Sequence, residues 1–223
     1  MKGYNIINVL IEGWIATIPL TICSILSLAV LMERWYTFFK AKISLSSFLA
    51  QIRDAVMGDR IEDAIRLCDR YGGPVAMVVK AGLQVYNEAR AYTQDWRTEI
   101  EEMEKAMDSA EREQVRVLER YIPIVGSIAS MAPYMGLFGT TVGIIKAFWT
   151  ISKAGSAGHP DVIAGGIAEA LINTAVGLLL AILSTFFYNW MTEKVKGFTR
   201  DMDSTSDAVI NIILDRTVRG NTQ

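Results

Sequence analysis

Three long runs without a charged residue constrain this chain more than any other feature of its sequence. The runs cover residues 13–32, 121–145 and 170–192, and they contain 20, 25 and 23 residues. A helix needs about 20 predominantly apolar residues to cross the hydrocarbon core of a bilayer. The sequence therefore predicts an all-α membrane protein with three transmembrane helices.

A polar block separates the first run from the second. Residues 33–120 contain 14 Lys or Arg and 16 Asp or Glu, so this block is expected to be soluble and nearly neutral. The helical spacing of its apolar residues and a Gly-Gly-Pro breaker at 72–74 predict three helices. They cover residues 44–57 (with Ser44 as a cap), 60–71 and 75–92.

A fourth helix of the block is predicted to begin near Thr93, which can cap it. No breaker follows before Arg120, so this helix is expected to continue without interruption into the second span. The third span is likewise expected to continue as a helix to Arg216. Long cytoplasmic helical extensions of the spans, and no β-strand, are therefore predicted.

Lys and Arg residues near the ends of the runs predict the orientation. Nine of them flank the side that carries the polar block, and three flank the opposite side. Cytoplasmic loops carry the excess of positive charge. The expected segments are a short periplasmic N-terminus (1–12), a first span (13–32), a cytoplasmic helical domain (33–120), a second span (121–152), a periplasmic loop (153–161), a third span (162–192) and a cytoplasmic C-terminal helix (193–223).

The first run is expected to be a retained membrane anchor. It is long for the apolar region of a signal peptide, and it ends in Leu-Met-Glu-Arg at 31–34 without a small-residue cleavage site.

The composition argues against several classes of protein. The formal net charge is −2 and the isoelectric point is near 5.5, whereas a general nucleic-acid binder would be clearly basic. Cys23 and Cys68 are too few and too far apart for a disulfide framework or a zinc knuckle, and the single histidine, His159, excludes a multi-histidine metal site. Motifs of soluble catalysis such as a phosphate-binding loop are missing, so no enzyme activity is expected.

Small and polar residues form one helical stripe on each of the last two spans. Small residues let helices pack closely in lipid. The alternative is that the stripes line a cavity in which Thr140 and Thr174 supply hydroxyl groups. The stripes contain Gly126, Ser130, Pro133, Gly136, Thr140, Gly143 and Ala147 in the second span, and Gly166, Ala170, Thr174, Gly177, Ala181 and Ser184 in the third.

Glu169 is the most informative single residue, because a carboxylate within an apolar run is costly and seldom faces lipid. It precedes Asn173 by four residues and Thr174 by five. Three interpretations stay open: solvation by headgroups, an interhelical ion pair, and a place in a proton-bearing path. Lys146, the other charge within the spans, is expected to extend to the membrane surface.

Two segments resemble the signature of the ExbB/TolQ/MotA proton-channel family. They read APYMGLFGTTVGII at 132–145 and GIAEALINTAVGL at 166–178, and shorter matches are LMER at 31–34 and YN at 188–189. The order of one span, a cytoplasmic helical block and two further spans is most similar to ExbB and TolQ. The flagellar stator subunit of the family has two additional spans upstream.

The resemblance implies a homo-pentameric ring in the bacterial inner membrane. The ring would surround the single spans of two copies of a partner similar to ExbD or TolR, which carries an essential membrane aspartate. Thr140 matches the polar threonine of the family's second span, and Thr174 and Glu169 match the threonine and glutamate of the third. Protons are the implied transported ion, with no other cofactor. A TonB/TolA-like energy transducer is a further expected partner.

Two classes of function follow as hypotheses, and a self-sufficient transporter is disfavoured because the spans hold too few ionisable residues. The first hypothesis is a proton-channel motor subunit that converts the proton-motive force into mechanical work on the cell envelope. In it, Thr140, Thr174 and Glu169 form the path, and Gly136, Gly143, Gly166, Ala170, Gly177 and Ala181 pack the helices around it. The alternative is a passive oligomeric membrane scaffold without ion conduction. The envelope process that is driven, and the choice between proton and sodium, stay open.

Overall fold

The computed structural model describes residues 14–92, 95–154 and 160–220. The predicted periplasmic N-terminus (1–12), the predicted cap Thr93 and the loop residue His159 lie outside the described residues. Within those ranges every regular element is a helix, which confirms the all-α prediction. The helices are α1 (Trp14–Ala41), α2 (Leu45–Met57), α3 (Ile61–Tyr71), α4 (Gly73–Tyr92), α5 (Trp96–Glu119), α6 (Ile122–Ala154) and α7 (Pro160–Gly220).

Three of these helices are long and apolar enough to cross a membrane. The candidate spans are Thr17–Ala41, Ile122–Thr150 and Ala164–Thr217, with mean hydropathies of 1.5, 1.4 and 2.1. Pro133 lies inside α6 without ending it. The helix that contains the third span, α7, is far longer than a membrane requires, in agreement with the prediction that the third span continues as a helix.

The described residues divide into two compact units. The membrane unit contains α1 up to Glu33, α6, and α7 up to Met191. The polar unit contains Arg34–Arg120 and α7 from Thr192 onward.

The polar unit has a core of its own, built from one face of each helix. Phe48, Ile52 and Val56 of α2 recur at helical spacing and are fully buried. A Cβ added at Gly82 of α4 would lie 2.5 Å from the side chain of Met107, so α4 and α5 pack closely there. Apolar residues at Met202, Val209 and Ile213 of α7 complete this core.

The helices of the polar unit begin and end at residues with different local roles. Ser44 occupies the N-cap of α2, but its side chain makes no capping hydrogen bond. Gly72 ends α3 with a φ of 64°, where glycine is favoured, and α4 begins directly at Gly73 rather than at Val75. Asp95 caps α5, because its carboxylate accepts a hydrogen bond of 3.1 Å from the backbone N–H of Arg97.

The prediction of one unbroken helix from the polar block into the second span is wrong. The helix α5 ends at Glu119, Tyr121 has a φ of 71°, and α6 begins at Ile122. Pro123 supplies the physical reason, since it has no N–H and its ring would meet the carbonyl of Glu119 in a continuous helix. In the first turn of α6 the same proline is tolerated.

Candidate functional site

Small residues of α6 and α7 face each other in the membrane unit, and we call this contact the α6–α7 seam. A Cβ added at Gly143 would lie 2.8 Å from the Cβ of Ala170, and one added at Gly166 would lie 2.8 Å from the Cβ of Ala147. Residue numbers rise along α6 as they fall along α7, so the two helices run antiparallel. The stripes predicted from spacing therefore meet each other within one chain.

The two backbones approach each other closely at Gly136 and Gly177. A Cβ added at Gly177 would lie 2.7 Å from the carbonyl oxygen of Ala132 and 2.9 Å from the Cα of Gly136. One added at Gly136 would lie 3.0 Å from the Cα of Thr174. A Cβ at Gly177 would therefore clash with the backbone of α6, and one at Gly136 would be in tight contact with the backbone of α7. Beside them, Ala132 and Ala181 form a buried cluster with Leu20 of α1.

The two predicted threonines come together in this seam. The Thr174 hydroxyl lies 3.0 Å from the carbonyl oxygen of Gly136 and 3.3 Å from the hydroxyl oxygen of Thr140, and it can donate to either. The Thr140 hydroxyl donates to the carbonyl of Leu137 at 2.7 Å. Thr140 is buried and Thr174 is half-buried. Two hydroxyl groups from two different spans therefore share one small polar site.

The arrangement leaves both hydroxyl oxygens with acceptor capacity. A threonine hydroxyl carries one donor and two acceptor lone pairs. Each hydroxyl proton already points at an oxygen of the chain. A further group at this site would therefore bind to the lone pairs of the hydroxyl oxygens, and it would have to be a hydrogen-bond donor. A protonated carboxyl group, which donates one hydrogen bond, is a chemical match.

Side-chain hydrogen bonds connect α1 to α7 within the membrane unit. The Thr17 hydroxyl donates to the side-chain Oδ1 of Asn173 at 3.1 Å. The hydroxyls of Ser27 and Ser184 are 3.3 Å apart and both residues are buried. Residue numbers rise together along the two helices, so α1 and α7 run in the same direction and α6 runs in the opposite one.

Comparison with known proteins identifies the family. Residues 72–204, more than half of the chain, match the MotA/TolQ/ExbB proton channel family. The chain belongs to this family. The match includes Thr140, Glu169 and Thr174, and it confirms the resemblance that the sequence motifs indicated.

Individual relatives carry the names TolQ and ExbB. The chain is 38% identical over 109 residues to "Tol-Pal system protein TolQ" of Haemophilus influenzae, which covers 49% of this chain and 47% of that protein. It is 27% identical over 191 residues to "Biopolymer transport protein ExbB" of Neisseria meningitidis serogroup A, covering 81% of this chain and 82% of that protein. The ExbB of Salmonella typhimurium is 27% identical over 209 residues, covering 86% and 78%. The chain thus spans about half the length of this TolQ relative and about four-fifths of the length of these two ExbB relatives.

The structure places Glu169 on α7 beside the seam residue Ala170. Glu169 is half-buried, whereas Ala170 is fully buried. Lys146 is exposed on α6, at the end of the seam where Ala147 meets Gly166. Within the described ranges, no three His, Cys, Asp or Glu side chains are grouped closely enough to hold a metal ion.

Sequence reasoning identified the threonine pair but did not identify Thr17 or the pairing of Ser27 with Ser184. A signal for Thr17 was present, because Thr17 and Thr21 are hydroxyl residues one helical turn apart in an apolar run. Small polar residues in such runs also bond back to their own helix, as Thr21 does to the carbonyl of Thr17 at 2.8 Å. The sequence alone therefore could not distinguish the two cases.

Proposed function

We propose that this protein is a proton-channel subunit that converts the proton-motive force into mechanical work on the cell envelope. It would act with a single-span partner similar to ExbD or TolR that carries a carboxylic acid within the membrane. The observation that carries the proposal is the pair of hydroxyls at Thr140 and Thr174, 3.3 Å apart in an otherwise apolar seam. Membership of a proton channel family supports the same function.

The threonine pair has the chemistry to receive a partner's carboxyl group. The hydroxyl oxygens can accept a hydrogen bond from the protonated acid, and a rotated hydroxyl can donate to the carboxylate. Glu169 lies five residues before Thr174, about 8 Å along the helix at 1.5 Å per residue. We place Glu169 on the same proton path as an intramembrane group that exchanges protons.

The membrane potential is a sufficient source of energy for such a device. Each elementary charge that crosses 100 mV releases about 2.3 kcal/mol. A few protons per cycle therefore release enough free energy for a conformational step. Protons are the proposed transported ion, and no other cofactor is proposed.

We further propose a homo-pentamer in the bacterial inner membrane, with the polar unit and the C-terminus in the cytoplasm and the N-terminus in the periplasm. The Lys and Arg asymmetry of nine against three supports this orientation. The relatives named ExbB and TolQ support an envelope process as the recipient of the work, with a TonB/TolA-like protein as the energy transducer.

The alternative function, a passive oligomeric scaffold, requires the small-residue stripes to form contacts between copies of the chain. The stripes instead meet within one chain, where Gly143 faces Ala170 and Gly177 faces Gly136. This use of the glycines weighs against the scaffold.

Native mass spectrometry of the protein co-expressed with its neighbouring genes tests the assembly. We expect five copies with two copies of a small single-span protein that has an aspartate in its span. A monomer or dimer without such a protein would contradict the proposal.

Proton flux into proteoliposomes that contain the purified complex tests the path. We expect Thr174→Val, which keeps the shape and removes the hydroxyl, to lower the flux at least tenfold, since a positioned proton-transfer group typically contributes 10²-fold or more. A matched control is Thr185→Val, because Thr185 is on the same helix and bonds back to the carbonyl of Ala181. For Thr140→Val the control is its exposed neighbour, Thr141→Val, whose hydroxyl bonds to Phe138 of its own helix. Normal flux in both Thr174→Val and Thr140→Val would rule out the path.

A further inference from the structure

We propose that Thr17 and Asn173 are positioning residues that set the rotation of α7 about its axis and so direct Thr174 at Thr140. This inference rests on the proposed proton path through the two threonines. Neither Thr17 nor Asn173 is assigned to that path itself.

The hydrogen bond between the two residues lies within the apolar part of the membrane unit. Asn173 is 5% exposed, and its Oδ1 accepts from the Thr17 hydroxyl at 3.1 Å. A polar group in hydrocarbon has no water to bond to, so losing its partner is costly. The bond therefore favours one orientation of the Asn173 side chain, toward α1.

Asn173 directly precedes Thr174, so the hydrogen bond from Thr17 to Asn173 also determines where the Thr174 side chain points. Successive residues of an α-helix are separated by about 100° around the axis, because one turn takes 3.6 residues. When Asn173 faces α1, Thr174 is directed toward α6, where its hydroxyl reaches Gly136 and Thr140. A rotation that breaks the bond to Thr17 would move the Thr174 hydroxyl away from its partner by the same angle.

A second bond between the same helices provides a natural comparison. Ser27 and Ser184 also join α1 to α7, and their hydroxyls are 3.3 Å apart. Ser184 is ten residues beyond Thr174, about 15 Å along the helix. It joins the same two helices without involving a neighbour of Thr174, so its removal separates general α1–α7 packing from the local positioning of Thr174.

A set of variants separates positioning from packing, with proton flux measured in proteoliposomes and assembly checked by native mass spectrometry. Thr17→Val keeps the volume and removes the hydroxyl, whereas Thr17→Ser keeps the hydroxyl and removes a methyl group. Asn173→Leu removes the acceptor. The double variant Ser27→Ala/Ser184→Ala removes the comparison bond.

We expect roughly ten- to hundredfold lower flux for Thr17→Val and Asn173→Leu, the scale of loss that a misplaced reacting group causes. We expect flux within about twofold of normal for Thr17→Ser and for Ser27→Ala/Ser184→Ala, because the hydroxyl at residue 17 is retained in both. The double variant Thr17→Val/Asn173→Leu is expected to lose no more than Asn173→Leu alone, since both changes remove the same bond.

The outcome for Thr174→Val separates this inference from the proposed function. Low flux for Thr174→Val together with normal flux for assembled Thr17→Val and Asn173→Leu would overturn the inference and leave the path intact. A loss for Thr17→Ser as large as that for Thr17→Val would also overturn it, because packing rather than the hydroxyl would then be responsible. Normal flux for Thr174→Val would contradict the proposed function.

Discussion

At the residue scale, the seam depends on the absence of a side chain at Gly177. A Cβ there would lie 2.7 Å from a backbone carbonyl, which cannot move as a flexible side chain can. We predict that Gly177→Ala lowers the free energy of unfolding by about 1–3 kcal/mol, the usual cost of overpacking. Gly197→Ala is the matched control on the same helix, because its Cβ would meet nothing within 4 Å. Thermal unfolding in detergent checks both, and equal midpoints would contradict the prediction.

A second residue-scale prediction concerns the Glu111 carboxyl of the polar unit. Burial and a hydrogen bond to Asp203 raise the pKa of Glu111 from 4.5 to about 7. The folded protein then binds this proton more strongly than the unfolded chain does, so the contribution to stability is full below pH 4.5 and is lost as the pH rises through 7.

We therefore predict that Glu111→Gln removes part of the decrease in stability between pH 5.5 and 8. The gain at pH 8 should be less than about 1 kcal/mol, because Glu111 is only half-buried and water screens its interaction with Asp203. Unfolding midpoints across this pH range check it, with Glu113→Gln, an exposed position on the same helix, as the control. An unchanged pH profile for Glu111→Gln would contradict the prediction.

At the element scale, the end of α5 is held by a buried arginine from α1. Arg34 is 4% exposed, and its Nη1 donates to the carbonyls of Val117 and Leu118 at 2.8 Å and 3.1 Å. The last carbonyls of a helix have no partner within the helix, and a cation is favoured there by the helix dipole. Arg34 thus stabilises the position at which α5 ends.

We predict that Arg34→Leu destabilises the protein by about 1–3 kcal/mol, the cost of leaving the buried Leu118 carbonyl without this partner. Arg34→Lys should recover part of this loss, since one charged donor remains. Hydrogen exchange of α5 gives a local measurement, with faster exchange in the last turn expected for Arg34→Leu. If hydrogen exchange in the last turn of α5 is the same in both variants as in the unsubstituted protein, Arg34 does not hold this helix end.

The elements show which parts of the structure the sequence could predict. Charge-free runs of 20 or more residues determine spans directly, because the hydrocarbon thickness sets the length. The interruption between α5 and α6 was missed, although Pro123 signalled it, because a proline can also kink a helix without ending it. The pairing of Thr17 with Asn173 could not be predicted, since it depends on how two distant helices are rotated against each other.

At the scale of the whole molecule, the helix directions in the membrane unit agree with the charge asymmetry of the sequence. The hydrogen bonds of Thr17 and Ser27 to α7 require α1 and α7 to run in the same direction, and the Gly143 contact requires α6 to run in the opposite one. The residues at which α1 and α7 leave the membrane unit, Glu33 and Met191, therefore lie at the same end of that unit. The excess of Lys and Arg predicts that this end faces the cytoplasm.

Labelling with a membrane-impermeant maleimide tests this orientation. We expect Ser152→Cys, at the exposed end of α6, to react in intact spheroplasts, and Lys105→Cys, exposed on α5, to react in inverted vesicles. Both cysteine variants also carry Cys23→Ala, so that the native cysteine at residue 23 cannot react with the label. Cys68 can stay, because burial raises the pKa of its thiol to about 12 and leaves it in the unreactive protonated form. The reverse pattern would place the polar unit in the periplasm and would contradict the orientation that the Lys and Arg asymmetry predicts.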